Sequence, residues 1–137
     1  MNRFQIDCDN FSGIAQARWW LVCVALFVGC AGGNPHPVKV DVAQQTLEST
    51  MESWKEGKTP EDLRKASPPV VVQDMEWTSG AKLLAYEIMG DGKPVDANLI
   101  AKVKLKLSST DGKETEKTVT YVVGTSPALT VFRDIMH

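Results

Sequence analysis

Leu99-Ile100-Ala101-Lys102-Val103-Lys104-Leu105-Lys106-Leu107 is the stretch that decides the fold. Leu99, Ala101, Val103, Leu105 and Leu107 alternate with Ile100 and three lysines. A period of two places the two sets on opposite sides of a pleated strand. One side apolar and the other charged is the pattern of an antiparallel strand with one face on a core and one in water. Ser109-Thr110-Asp111-Gly112-Lys113 follows, and its Asp-Gly pair predicts a hairpin turn. Thr115 to Val123 then returns, with Val119, Tyr121 and Val123 on one face. Glu114 and Glu116 stand across the hairpin from the lysines, so Lys102, Lys104 and Lys106 read as part of a mixed-charge, solvated face that opposes edge-to-edge aggregation.

Working outward, further strands are expected on both sides. Val70 to Trp77 reads as a strand with Val71, Met75 and Trp77 on one face, which leaves Asp74 and Glu76 pointing to solvent. Leu83 to Met89 reads as a second strand, followed by a Gly90-Asp91-Gly92-Lys93-Pro94 loop. Gly124-Thr125-Ser126-Pro127 kinks the chain before Ala128 to Arg133 continues the sheet. Upstream, Ala43, Leu47, Met51 and Trp54 recur at helical spacing and define the buried stripe of a helix that Asp41 is placed to cap. Thr59-Pro60-Glu61-Asp62 carries the signals of a second, short helix, with Thr59 as cap, Pro60 at its first position, and Leu63 and Ala66 facing inward. The fold class predicted is α+β: a helix and a short second helix packed on a four- to five-stranded antiparallel sheet. The amphipathic stripe and the alternating strands each need the other for burial.

The arrangement resembles the cystatin-like folds, which include the nuclear transport factor-like domains. Trp54-Lys55-Glu56-Gly57-Lys58-Thr59-Pro60 is similar to the end of the first helix in many of those domains. The segment from Tyr121 to Arg133 resembles the ending of small lipoproteins of planctomycete bacteria, a likeness that spans most of the chain beyond the leader and brings no activity with it. Nuclear transport factor-like enzymes use the space between helices and sheet as a pocket, and that resemblance implies a lining drawn from Asp74, Glu76, Tyr86, Glu87 and Tyr121 here. Asp74 and Glu76, two apart on one strand, would form a carboxylate pair if their face turned inward.

The front of the chain carries a different kind of information. Trp19 to Gly29 is an uncharged, apolar run of about eleven residues behind Arg18, against the roughly 20 that a spanning helix needs. A run of that length behind a basic residue is the core of an export signal. Phe27-Val28-Gly29-Cys30 resembles a lipobox, although Phe27 stands where leucine is usual. The resemblance implies cleavage before Cys30, a thioether to diacylglycerol on its thiol and acylation of its amine, and several acyl chains hold a protein on a membrane durably. Gly29-Cys30-Ala31 also fits ordinary secretion, which would release a soluble domain to the periplasm or medium. The expected organisation is a lipoprotein-type signal peptide over residues 1–29, a flexible tether over 30–38 containing Pro35 and Pro37, and one α+β domain over 39–137. The expected location is the cell envelope, lipid-anchored on the periplasmic side. Ala31 stands where an inner-membrane retention signal places Asp, so the outer membrane is favoured where two membranes exist.

Composition excludes several functions. The net charge of −2 and pI of about 5.7 give no electrostatic footprint for nucleic acid. The three cysteines are Cys8 and Cys23 in the leader and Cys30 itself, so the domain has no thiolate nucleophile, disulfide or cysteine metal site. The two histidines, His36 and His137, fall in the tether and at the terminus, without a second ligand nearby. No metal and no cofactor is expected, and no catalytic set emerges. Sequence leaves one less ordinary feature. The second strand is apolar on both sides, with Leu84, Tyr86 and Ile88 opposite Leu83, Ala85 and Met89, whereas one helix covers only one side of a sheet. Leu84, Tyr86, Ile88 and Tyr121 are therefore the candidate residues for a ligand or partner face, with Val70, Val72 and Val122 beside them. An open apolar face signals a protein partner, a homodimer or a ligand. A binding or scaffolding domain is the leading expectation, and a small-molecule-binding or enzymatic domain with a pocket between helix and sheet is the alternative.

Overall fold

The structure, a computed structural model, describes residues 36–136; the leader, Cys30 and the start of the tether lie outside the described residues. The elements in chain order are α1 (Val40–Lys55), α2 (Pro60–Lys65), β1 (Val70–Gln73), α3 (Met75–Thr78), β2 (Lys82–Val95), β3 (Asn98–Ser108), β4 (Glu114–Gly124) and β5 (Leu129–Asp134). The five strands form one sheet in the order β1-β5-β4-β3-β2, and α1 packs on one side of it. The fold is α+β, as the alternation in β3 and the stripe of α1 require.

The sheet is mixed, not purely antiparallel: β1 pairs with β5 in parallel, Val70 beside Leu129 and Val72 beside Val131. The cause is topological. α3 carries the chain from one edge of the sheet to the other, so β1 and β2 run in opposite directions. Three further reversals through β3 and β4 then return β5 pointing the same way as β1.

Six local expectations are corrected. The strand from Val70 stops at Gln73, because Asp74 caps a helical turn over Met75–Thr78. Val70 and Val72 face inward while Met75 is 77% exposed, so the inward set is the opposite of the alternation read across Val71 and Met75. In β2 a register shift between Leu83 and Ala85 puts Leu83, Tyr86 and Ile88 on the same side, toward the core. Gly90-Asp91-Gly92 is a second irregularity within β2, made with φ of +71° and +75° at its glycines, after which pairing resumes at Lys93. At α1 the N-cap is Lys39, with Asp41 in the first turn, and Ala66 ends α2 exposed instead of buried.

Other signals held. Thr59 and Asp62 form a reciprocal capping box under Pro60, and Leu63 is buried. Ala43, Leu47, Met51 and Trp54 all lie in the core with Leu99, Val103 and Leu105 of β3. Gly112 turns the hairpin with φ of +84°. The start of the domain is fixed at one end of the sheet. The Val38 N–H donates to the Asp96 carbonyl at 3.1 Å, and the Lys39 N–H donates to Thr125 Oγ1 at 3.3 Å.

Candidate functional site

Two places in the domain carry more than packing. The first is a buried polar cluster at the junction of α3, β4 and β5. The expectation that Asp74 and Glu76 point to solvent is overturned once the strand gives way to α3. Glu76 turns to Arg133 and Lys117, and Asp74 is 3% exposed, an unusual position for a carboxylate without partners. Its Oδ1 accepts from the Glu76 N–H at 2.9 Å and the Trp77 N–H at 3.2 Å, which is what starts α3. Its Oδ2 accepts from the Tyr121 hydroxyl at 2.6 Å. Arg133 Nη1 lies 3.3 Å from Asp74 Oδ1 and donates to Glu76 Oε2 at 2.7 Å. Lys117 Nζ donates to the other Glu76 oxygen.

The electrostatics of this cluster are closed. Burial pushes the Glu76 carboxyl up, but the bonds from Arg133 and Lys117 outweigh it and hold the group below its ordinary value. Burial, then the Asp74 charge and hydrogen bond, push the Tyr121 hydroxyl far up. Two carboxylates face two cations, Glu76 stays ionised and Tyr121 stays protonated at neutral pH. Neither is poised to exchange a proton near pH 7, as acid–base catalysis requires. Chemically the cluster is a clasp that ties α3 to the middle of β4 and the end of β5. Beside it lies an open cleft of about 860 Å³, whose lining includes Val72, Met75, Ile135 and the charged edge of Glu76 and Arg133.

The second place is the sheet face turned away from α1. The registers fix which residues share it. Gln73, Phe132, Val122, Ile100 and Lys93 lie in one row across the five strands. Val71, Thr130, Gly124, Asn98 and Val95 form the row toward the Val38 end, and Asp134, Thr120, Lys102 and Met89 the row on the other side. Val71, Ile100, Val122 and Phe132 are half-buried, while Met89 and Val95 are exposed. Further along, Lys104 pairs with Glu116 at 3.3 Å and Lys106 with Glu114 at 2.9 Å, so the lysine alternation belongs to a mixed-charge surface as expected.

The candidate face named from sequence is thus composed differently. Tyr121 is wholly buried under α1, bonded to Asp74. Tyr86 and Ile88 pack against the core, and the Tyr86 hydroxyl donates to Glu52 of α1 at 3.1 Å. Leu84 is exposed, as the extra residue at the bulge, away from the row of Ile100, Val122 and Phe132. Of the flanking residues, Val122 is on the open face, whereas Val70 and Val72 are in the core. Tyr86 and Glu87 border a small open hollow with Lys104, Lys106 and Glu116, Tyr121 is buried away from it, and the space between α1 and the sheet is filled by Leu47, Met51, Leu99 and their neighbours. Arg133, Ile100 and Phe132 were not singled out from sequence. The available signal was Asp74 followed by Glu76, a cap with an acid in the first turn, which marks a helix start and ends the strand one residue earlier.

Among the described residues no three His, Cys, Asp or Glu side chains are grouped to hold a metal ion, and no helix is long and apolar enough to cross a membrane. No family model matches the chain, and no curated protein or solved structure is found to be similar to it.

Proposed function

We propose that the chain is an exported lipoprotein, anchored through lipid on Cys30 at the periplasmic side of the envelope. In this reading its domain is a non-enzymatic binding or scaffolding module that works through the sheet face opposite α1. The observation that carries the binding role is the apolar row Ile100, Val122 and Phe132 on a face that no described element covers. Apolar side chains grouped on a sheet face and rimmed by charge mark interaction surfaces. The leader pattern ending at Cys30 supports the location. The closed, charge-balanced cluster around Asp74 supports a structural role for the buried polar groups.

A photo-crosslinking side chain at Val122, introduced into the full chain in a bacterial envelope, tests the binding role, with one at exposed Gln45 on α1 as control. Adducts from position 122 and none from position 45 are expected; a silent position 122 would sink the reading. Mass spectrometry of the mature N-terminus beside a Cys30→Ala variant tests the location. A diacylglyceryl cysteine lost in the variant is expected, whereas an unmodified N-terminus at Gly32 would replace anchoring with secretion.

A further inference from the structure

The open face has an internal symmetry about β4. Across that strand, Ile100 on β3 balances Phe132 on β5 with Val122 between them. In the next row Lys102 on β3 balances Asp134 on β5 with Thr120 between them. In the row before, Val95 on β2 and Val71 on β1 stand at the two ends. A two-fold axis lying in the plane of contact and running along β4 keeps each row at its own height and exchanges the two sides. Under that operation Ile100 meets Phe132 of a second copy, Lys102 meets Asp134, and Val95 meets Val71, each twice. Four apolar residues and two opposite charges are placed where each answers the image of its counterpart.

We propose that this face binds a second copy of the chain, through an isologous contact with its axis along β4. The proposal rests on the binding-face reading above and names the partner. Charge complementarity argues for a second copy over a foreign protein, because a heterologous partner has no need of Lys102 and Asp134 in one row on opposite sides of Val122 and Thr120. The ion pairs Lys104–Glu116 and Lys106–Glu114 lie beyond Asp134, where β5 has ended, and stay solvated outside the contact. Face-to-face sheets pack about 10 Å apart and within about 30° of alignment, so the match is closest along β4 and loosens toward β1 and β2.

Size sets the strength. Three rows about 7 Å apart on five strands about 4.8 Å apart make a patch of roughly 400 Å² of flat sheet, against about 800 Å² per partner in a standard interface. The dimer is therefore weak and concentration-dependent. Confining both copies to one membrane raises their effective concentration without any new contact.

The test is sedimentation equilibrium of the full chain in density-matched detergent over a concentration series, with Lys102→Asp, Asp134→Lys and the double charge swap. Reversible dimerisation is expected, weakened about tenfold by each single reversal and restored to within about threefold in the double. Asp134 Oδ1 also accepts from the Met136 N–H at 2.8 Å, so recovery in the double separates a lost contact from a damaged C-terminus. A chain that stays monomeric throughout, or a double no better than the weaker single, overturns the second copy. The position-122 crosslinker separates the two failures: a monomer that still forms adducts with another envelope protein keeps the binding face and loses the dimer, and a monomer without adducts loses both.

Discussion

The Tyr121 hydroxyl donates to Asp74 Oδ2 at 2.6 Å, joining residues 47 positions apart at a point sealed from water. The same carboxylate starts α3 and faces Arg133, so one side chain links the turn after β1 to the two strands that lie beside it.

Removing the Tyr121 hydroxyl leaves the Asp74 charge one donor short in a buried position. Tyr121→Phe is expected to cost about 1–3 kcal/mol, the penalty of an unsatisfied buried group. Arg133→Ala, which keeps that hydroxyl but removes the cation facing Asp74 and Glu76, is expected to cost about 3 kcal/mol. By contrast, Lys104→Ala on the exposed hairpin pair is expected to stay below about 1 kcal/mol. Urea unfolding followed by tryptophan fluorescence ranks the three, and equal effects at Arg133 and Lys104 would overturn the account of the cluster.

Acid sensitivity follows from Glu76. Its folded carboxyl is held below the ordinary 4.5, burial opposing the charge but losing to the bonds from Arg133 and Lys117. A depressed folded pKa gives stability that is whole above the unfolded value and lost as pH falls through the folded one. The urea midpoint is therefore expected to fall on acidification below 4.5, and Glu76→Gln to start lower at neutral pH while losing less in acid. A variant whose acid limb overlays the parent would remove Glu76 from the explanation.

The rings of Trp54 and Trp77 are stacked, centroids 4.9 Å apart and 5° from parallel. Each is also pinned by its indole N–H, Trp54 donating to the Ala81 carbonyl and Trp77 to the Lys58 carbonyl, both at 2.9 Å. Trp77→Ala is expected to cost about 3–5 kcal/mol. The stacked pair is expected to give an exciton signal in circular dichroism that either Trp→Phe change abolishes. Persistence of that signal in both variants would contradict the stacking.

Gly124 sits where β4 passes β5 too closely for a side chain. A Cβ there would stand 2.6 Å from Thr130 Oγ1 and 3.2 Å from Asn98 Oδ1. Gly124→Ala is expected to destabilise by about 1–3 kcal/mol through overpacking. Adding Thr130→Ala removes the nearest atom, so the double variant is expected to lose less than the sum of the singles. Strict additivity in thermal unfolding would place the strain elsewhere.

What the sequence determined by itself is whatever a repeating local pattern can carry. The alternation from Leu99 to Leu107, the Asp111-Gly112 turn, the stripe of Ala43, Leu47, Met51 and Trp54, and the Thr59 cap each repeat or close within a few residues. Those intervals match the strand period, the hairpin or the helical turn, and together they define an α+β domain. Tertiary structure decided what depends on counting across an interruption. One extra residue at Leu84 changes which side every later residue of β2 faces, and the Asp74 cap stops β1 before Trp77. Period-two reasoning fails after either event. Because of the first, Tyr86 and Ile88 face the core; Tyr121 does so through the unbroken alternation of β4, beside Val119 and Val123. The row of Ile100, Val122 and Phe132, and the meeting of Asp74 with Tyr121 and Arg133, exist only once strands distant in sequence are set side by side. No local interval records a register between β3, β4 and β5.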